Sequence, residues 1–261
     1  MSDAAPTLEL RGISKSFGSV QALQEVDFEV RDGEVMALVG DNGAGKSTLI
    51  KCVAGIYSID SGETLFEGEP VNIHGPKDAA RLGIEIVYQD LALCDNLDVV
   101  QNMYLGREAH DILQRLNEPQ MEFKTAETLK SLAVTTIRST RQLVASLSGG
   151  QRQSVAVARA VMWNSRVVIL DEPTAALGVS QTRQVLDLVK RLAQQGLAVV
   201  LISHNLQDIF EVANRITVLS LGRNVGVYER AKTTQQEIVG AITAGVPTNA
   251  AGVGEAESAP A

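Results

Sequence analysis

The sequence predicts an α/β protein built on a parallel sheet. Short apolar runs at residues 167–170 and 197–202 have the composition of strands that are buried on both faces. A helical stretch at 181–194 lies between these runs, as a crossover connection between parallel strands requires. A glycine-rich turn at 40–45 separates an apolar strand from a helix at 46–54, which is a common arrangement in α/β proteins.

The remaining elements follow in chain order. Strands are predicted at 8–13, 26–30, 34–39, 84–88 and 216–219, where β-branched and apolar residues dominate. Residues 90–161 are mostly helical in pattern, and we interpret them as a helical subdomain inserted into the α/β core. Residues 244–261 contain Ala, Gly, Pro, Thr, Ser and Glu without an aromatic residue, so a disordered tail is predicted there.

Composition excludes several functional classes. The chain has 261 residues with 23 Lys and Arg against 31 Asp and Glu, a formal net charge of −8 that disfavours a general nucleic-acid binder. A membrane-spanning helix needs about 20 consecutive apolar residues, and the apolar runs here are much shorter. The first seven residues lack the features of a signal peptide. Two cysteines, Cys52 and Cys94, predict no disulfide framework and fit a reducing compartment.

The glycine-rich turn matches the phosphate-loop pattern G-x-x-x-x-G-K-[ST] between a strand and a helix. Its glycines let backbone N–H groups surround a phosphate, and the following helix N-terminus adds partial positive charge. In this pattern Lys46 neutralises the β- and γ-phosphates and the Ser47 hydroxyl ligates Mg²⁺. The predicted nucleotide-binding residues of the loop are Gly40, Asp41, Asn42, Gly43, Ala44, Gly45, Lys46, Ser47 and Thr48.

Two carboxylates follow the apolar run at 167–170. Asp171, at the end of the predicted strand, can reach Mg²⁺ directly or through water. Glu172 is the candidate general base that activates the attacking water. Many buried strands end in an acidic residue, so these two carboxylates indicate a nucleotide site only in combination with the phosphate loop.

A second glycine-containing segment precedes a helix predicted at 151–161. Ser148, Gly149, Gly150 and Gln151 can form another anion cradle, because bare N–H groups and a helix N-terminus favour a phosphate. The alternative is an ordinary N-capped helix after a glycine turn.

With these three motifs in this order, residues 7–243 resemble the nucleotide-binding subunit of an ABC transporter. The resemblance implies a P-loop NTPase core of the ABC ATPase type, with an antiparallel β subdomain and the inserted helical subdomain at about 90–161. It implies that Phe17 stacks on adenine, that Gln89 senses Mg²⁺ and the membrane partner, and that His204 contacts the γ-phosphate. The implied catalytic residues are Lys46, Gln89, Glu172 and His204, and the implied Mg²⁺ ligands are Ser47, Gln89 and Asp171.

The resemblance also implies partners. Two cassettes would face each other head to tail, with ATP held between the phosphate loop of one and residues 148–151 of the other. The pair would bind an integral-membrane permease at the cytoplasmic face of the inner membrane. The segments 86–93, 102–108 and 175–179 look like those of monosaccharide importers of the ribose, xylose and fructose type, which work with a periplasmic or extracellular sugar-binding protein. No nucleic-acid partner is implied.

Two other classes remain as alternatives. A soluble ABC-type ATPase of translation or DNA repair usually has fused cassettes, arms or basic linkers, and none of these is visible here. A degenerate regulatory cassette is disfavoured by the intact Lys46, Asp171 and Glu172. Gly178, however, stands where the family usually has an acidic residue, which leaves the coupling between subunits open.

Overall fold

The computed structural model describes residues 5–245, which form two sheets and a set of helices. The strands are β1 (Leu8–Phe17), β2 (Val20–Val30), β3 (Val35–Val39), β4 (Ser61–Phe66), β5 (Glu69–Val71), β6 (Ile84–Val87), β7 (Val167–Asp171), β8 (Ala198–Ile202), β9 (Arg215–Ser220) and β10 (Arg223–Glu229). The helices are α1 (Lys46–Val53), α2 (Pro76–Arg81), α3 (Val99–Tyr104), α4 (Glu118–Ser131), α5 (Gly149–Val161), α6 (Val179–Gln194), α7 (Leu206–Val212) and α8 (Gln235–Ala244). Short 3-10 turns occupy Val144–Ser146 and Arg230–Lys232.

The larger sheet has the strand order β10-β9-β3-β8-β7-β6. All of its neighbouring strands are parallel except the β9–β10 pair. Its central strands β3 and β8 are buried along their whole length, which explains why they are continuous apolar runs rather than alternating ones. The predicted α/β class is therefore confirmed.

The two faces of this sheet pack into different cores. In β3, Val35, Ala37 and Val39 face the core that contains α5 and α6. Met36 and Leu38 face the opposite core, which is shared with α1 and the smaller sheet. This alternation follows from the period of two along a strand.

The smaller sheet is antiparallel, with the order β2-β1-β4-β5. Its first two strands are longer than predicted, because their outer ends carry exposed polar residues that weaken the apolar signal. β4 and β5 were not predicted individually from the residues. Pro70 in β5 is acceptable because that strand lies at the edge of the sheet.

The helices α3, α4 and α5 lie between β6 and β7, within the stretch predicted to be a helical insertion. The helix α4 is amphipathic, and its face carrying Met121, Thr125 and Leu129 is buried. Asp98 and Ser148 begin α3 and α5 respectively, each with a capping box that satisfies backbone N–H groups at the helix start.

The C-terminal end of the described chain is α8, which ends at Ala244 with Gly245 in the left-handed conformation. The predicted tail at 244–261 thus begins one residue too early, since Ala244 is helical. Its remainder from residue 246 lies outside the described residues. Within residues 5–245, no helix is both long enough and apolar enough to cross a membrane.

Candidate functional site

The topology places four predicted site segments along one edge of the larger sheet. β3, β8, β7 and β6 are neighbours in that order and run parallel. The phosphate loop follows β3, His204 follows β8, and Gln89 follows β6. Asp171 is the last residue of β7, and Glu172 comes directly after it. In open parallel sheets, ligands bind beyond the carboxyl ends of the strands. The order of the strands, rather than the order of the sequence, therefore assembles this site.

Two glycines of the phosphate loop have conformations that other residues could not adopt without strain. Gly40 has φ +150°, and a Cβ on it would lie 2.2 Å from the backbone oxygen of Leu219. Gly45 has φ +101°, and its Cβ would lie 2.9 Å from the backbone oxygen of Ala22. The backbone of the loop therefore packs closely against both β2 and the end of β9.

The interior of the loop has unpaired backbone donors. Within the described chain, the N–H groups of Gly45, Lys46 and Ser47 donate to no other backbone carbonyl. They lie at the N-terminus of α1, where the helix dipole adds positive potential. Such a cluster of unpaired N–H groups suits the oxygens of a phosphate.

Lys46 lies inside this loop. Its Nζ donates to the carbonyl of Gly40 at 2.6 Å and to that of Asp41 at 3.0 Å. Burial lowers the pKa of Lys46, while the negative charges of Glu172, Asp41 and Asp171 act in the opposite direction. The ammonium therefore lies within electrostatic reach of both strand-end carboxylates.

A cleft of about 490 Å³ opens over the loop. Besides residues 42–48, its walls come from the start of β2 and from the turn between β9 and β10. These wall residues, which the sequence did not single out, are Val20, Gln21, Ala22, Gln24, Leu221 and Gly222. Phe17, the predicted adenine-stacking residue, does not line this cleft. It is 43% exposed and packs edge to face on Tyr57, with ring centroids 5.0 Å apart.

The two carboxylates differ in their surroundings. Burial, followed by the charge of Glu172, raises the pKa of Asp171, whereas Lys46 acts to lower it. Glu172 lies just past the strand with φ +51°, and its backbone N–H donates to the carbonyl of Ile202 at 2.9 Å. A left-handed backbone is unfavourable for a non-glycine residue, and this hydrogen bond to β8 helps to hold Glu172 in it.

His204 contacts Glu172 directly. Its Nδ1 lies 2.9 Å from the Oε2 of Glu172, and the imidazole is 78% exposed while the carboxylate is 16% exposed. The contact orients the candidate base and leaves the other imidazole nitrogen free to meet a ligand.

Gln89 is exposed in the loop that follows β6. Burial and then the charge of Asp171 raise the pKa of the preceding Tyr88, which places this loop in the field of the acidic strand end. The hydroxyl of Ser47, the carboxylate of Asp171 and the amide of Gln89 all offer the oxygen ligands that Mg²⁺ prefers. A divalent cation would also offset the unfavourable proximity of Asp171 and Glu172, so these residues fit a Mg²⁺ site.

The second predicted cradle is a capped helix start. The Ser148 hydroxyl accepts from the Gln151 N–H at 3.4 Å, and the Ser148 N–H donates to Oε1 of Gln151 at 2.8 Å. Ser148 and Gly149 are exposed. None of the residues 148–151 lines the cleft over the phosphate loop. A single copy of the chain therefore does not bring the two cradles into one cleft.

We call the segment at residues 148–151 the signature, and α5, which begins there, the signature helix. The two glycines of the signature pack closely against the start of α6. A Cβ on Gly149 would lie 2.9 Å from Cδ2 of Leu177, and one on Gly150 would lie 3.0 Å from Cβ of Gln181. Gly178, which replaces the usual acidic residue, is the N-cap of α6, and its N–H donates to Oε1 of Gln181 at 3.3 Å. Glycine is tolerated at an N-cap, so the substitution leaves the helix start intact.

The fold and the site together define a P-loop nucleotide-binding protein. The model of a known family, the ABC transporters, matches residues 23–175. A fructose import ATP-binding protein of Rhizobium meliloti is 45% identical, over 91% of this chain and 94% of that protein. A xylose/arabinose import ATP-binding protein of Sulfolobus acidocaldarius is 45% identical, over 90% of this chain and 93% of that protein.

Other matches agree. A ribose import ATP-binding protein of Yersinia pestis is 43% identical over 90% of this chain, which spans 46% of that longer protein. Among solved structures, a nucleotide-free ATP-binding cassette from an ABC transporter has a TM-score of 0.78 at 24% identity, covering 92% of this chain and 96% of that one. The chain belongs to the ABC transporter family, and within it is an ATP-binding, ATP-hydrolysing subunit. The translation and DNA-repair alternative receives no support.

Proposed function

We propose that this chain powers the import of a monosaccharide through a membrane permease. The observation that carries the proposal is the 45% identity, across nearly the whole of both chains, to a fructose import ATP-binding protein. The matches to proteins named for xylose/arabinose and ribose import support the same substrate class. The chain would lie at the cytoplasmic face of the membrane, with a sugar-binding protein on the other side of the permease.

The residues divide the work of hydrolysis. Lys46 and the backbone N–H groups of the phosphate loop bind the β- and γ-phosphates. Glu172 accepts the proton of the attacking water, held in orientation by its contact with His204. Ser47, Asp171 and Gln89 are the residues that would hold Mg²⁺, which supplies charge neutralisation at the phosphates when it is bound.

The site becomes complete with a second copy of the chain. None of residues 148–151 lines the cleft over the phosphate loop. Ser148 and Gly149 are exposed at the start of α5. Two copies arranged head to tail would bring the signature of one against the phosphate loop of the other. ATP between them would stabilise the closed pair, and hydrolysis would release it.

Sugar uptake by cells of the source organism tests the proposal. A strain lacking the chain is complemented with the wild type, with Glu172→Gln or with Glu67→Gln. Glu67 is a matched control, because it is also a non-glycine residue with left-handed backbone (φ +52°) but lies in the β4–β5 turn. We expect the wild type and Glu67→Gln to restore uptake of labelled fructose, xylose, arabinose or ribose, and Glu172→Gln to fail. Equal uptake of all four sugars with and without the chain would contradict the proposal.

A further inference from the structure

The loop that carries Gln89 has no regular secondary structure between β6 and α3. An irregular loop of this kind holds one conformation only if side chains satisfy its backbone groups. The structure supplies such side chains from two helices. The helices to which these side chains belong indicate which element controls the position of Gln89.

The first contact comes from α5, the helix that begins at the signature. Arg159 donates from Nη2 to the carbonyl of Leu91 at 2.8 Å and from Nη1 to the carbonyl of Ala92 at 3.0 Å. Ala92 has a left-handed backbone with φ +48°. Burial lowers the pKa of Arg159, which marks a guanidinium that has exchanged water for these two carbonyls.

The second contact joins the far end of the loop to α3. Asn102 is fully buried, and its Oδ1 accepts from the N–H of Cys94 at 2.7 Å. Its Nδ2 donates to the carbonyls of Cys94 and Asp98, each at 3.0 Å. This end of the loop is thus anchored by α3, and Arg152 of α5 also pairs with Asp95 at 3.0 Å. The end near Gln89 is held by Arg159 of α5.

We propose that Arg159 is a positioning residue that ties the loop carrying Gln89 to the signature helix. The inference rests on the proposed function, since it assigns Arg159 a role in Mg²⁺-dependent hydrolysis through Gln89. Its physical basis is the pair of hydrogen bonds to Leu91 and Ala92, two and three residues beyond Gln89. A shift of α5 is transmitted to Gln89 through these bonds. Loss of the bonds allows Gln89 to leave its position beyond the carboxyl end of β6.

The chain contains a close chemical match to use as a control. Arg191 of α6 also donates to two successive carbonyls, those of Leu132 at 3.0 Å and Ala133 at 3.3 Å. Ala133, like Ala92, has a left-handed backbone with φ +51°. Each arginine thus contacts two successive carbonyls, Arg159 from two guanidinium nitrogens and Arg191 from one. Of the two, only Arg159 reaches the loop that carries Gln89.

The test is steady-state ATP hydrolysis by the purified full chain, titrated separately with Mg²⁺ and with ATP. For Arg159→Ala we expect the Mg²⁺ concentration at half-maximal rate to rise about tenfold, because small displacements of a positioned group are costly. The KM for ATP stays within about twofold, since Arg159 does not line the cleft over the phosphate loop. Arg191→Ala changes neither quantity by more than about twofold.

Two further variants separate positioning from general damage. Arg159→Lys keeps a donor but cannot span both carbonyls, so its Mg²⁺ requirement lies between those of the wild type and Arg159→Ala. In a Gln89→Ala background, Arg159→Ala has no further effect, because residues that act through one another are not additive. If Arg159→Ala does not fold, the Mg²⁺ requirement of Arg159→Lys decides.

The outcomes distinguish the two proposals. A wild type without Mg²⁺-dependent hydrolysis overturns the proposed function and this inference with it. A hydrolysing wild type whose Arg159 variants behave like Arg191→Ala, or an effect of Arg159→Ala that persists fully in the Gln89→Ala background, overturns this inference alone.

Discussion

The Nδ1 atom of His204 lies 2.9 Å from the Oε2 atom of Glu172, although the two residues come from different strands of the larger sheet. The contact exists because β7 and β8 are parallel neighbours, with Asp171 opposite Ile202 in the register. The residues that follow these strands therefore emerge side by side. We infer that this pair is the unit that activates water, with the carboxylate as the base and the imidazole as its orienting partner.

Glu172→Gln tests the base directly. The amide keeps the size of the side chain but cannot accept the proton, so we expect ATP binding to persist. The hydrolysis rate should fall by roughly 10²–10⁴-fold, about 3–5 kcal/mol in the barrier. Single-turnover hydrolysis of bound ATP measures the effect, with Glu67→Gln as control. A parent-like rate in Glu172→Gln would remove Glu172 from the mechanism.

His204→Ala tests the orienting partner. Without the imidazole the Glu172 carboxylate loses its contact, and we expect kcat to fall by about 10²-fold. The affinity for ATP should change much less, because the phosphate loop is unaltered. His74→Ala is the control, since His74 lies before α2 and its backbone N–H, not its imidazole, donates to the Asp78 carboxylate. Equal kcat values for the two variants would contradict the assignment.

Lys46→Ala tests the binding of phosphate. The ammonium lies within the loop, and its removal deletes the charge-assisted hydrogen bond that it would donate to a phosphate of ATP, worth about 1.5–3 kcal/mol. Titration calorimetry with ATP should therefore show affinity reduced by roughly 10–100-fold, whereas Lys190→Ala, which breaks an exposed ion pair with Glu211, leaves it unchanged. Unaltered affinity in Lys46→Ala would exclude this role.

Asp171→Asn tests the electrostatics of the strand end. Because burial and Glu172 raise the pKa of Asp171 in the folded protein, its protonated form favours folding at low pH, and that contribution is lost as the pH rises through the raised pKa. At neutral pH without ligand, Asp171→Asn should thus melt at a higher temperature than the wild type. The difference should shrink as the pH falls toward the ordinary aspartate range. A lower melting temperature for the variant at neutral pH would contradict this reading.

The same variant should lose function while it gains stability. Replacing the carboxylate with an amide removes a negatively charged oxygen ligand from the predicted Mg²⁺ site. We expect the Mg²⁺ concentration at half-maximal hydrolysis to rise by at least about tenfold. An unchanged Mg²⁺ requirement would show that Asp171 does not help to hold the ion.

Gly40→Ala tests the close approach of the phosphate loop to β9. Its Cβ would collide with the backbone of Leu219, so we expect a loss of about 3 kcal/mol or more in the free energy of unfolding. Gly43→Ala is the control, because Gly43 also has positive φ (+84°) but has nothing within 4 Å of the added atom. It should lose only about 1 kcal/mol. Urea unfolding of both variants measures the difference, and equal losses would mean that strain rather than contact governs Gly40.

The sequence predicts those parts of the fold whose signals are local. The strands β3, β7 and β8 are recognisable because their residues are apolar without interruption, as burial on both faces demands. The phosphate loop is recognisable because its glycines and Lys46 have fixed spacing. By contrast, β4 and β5 include exposed Glu63, Glu69 and Pro70. The strand character of β4 comes from pairing with β1, and that of β5 from pairing with β4, rather than from composition.

Contacts that depend on strand order could not be predicted. The meeting of His204 with Glu172 requires β8 to lie beside β7, and the contact of Arg159 with Leu91 requires α5 to lie against the loop after β6. The walls that Val20 and Leu221 contribute to the cleft depend in the same way on tertiary arrangement. The stacking of Phe17 on adenine, which the resemblance implies, stays a prediction, and in the structure its ring packs on Tyr57.

The most direct test of the account is the molar mass of Glu172→Gln in solution, with and without ATP and Mg²⁺. In the proposed dimer the phosphate loop and the signature form opposite halves of one site, so ATP should join two copies when hydrolysis is blocked. Light scattering after size exclusion should give the 27.9 kDa monomer without nucleotide and twice that mass with it. Addition of Ser148→Arg should return the mass to that of the monomer. A single mass of 27.9 kDa under both conditions would contradict the shared site.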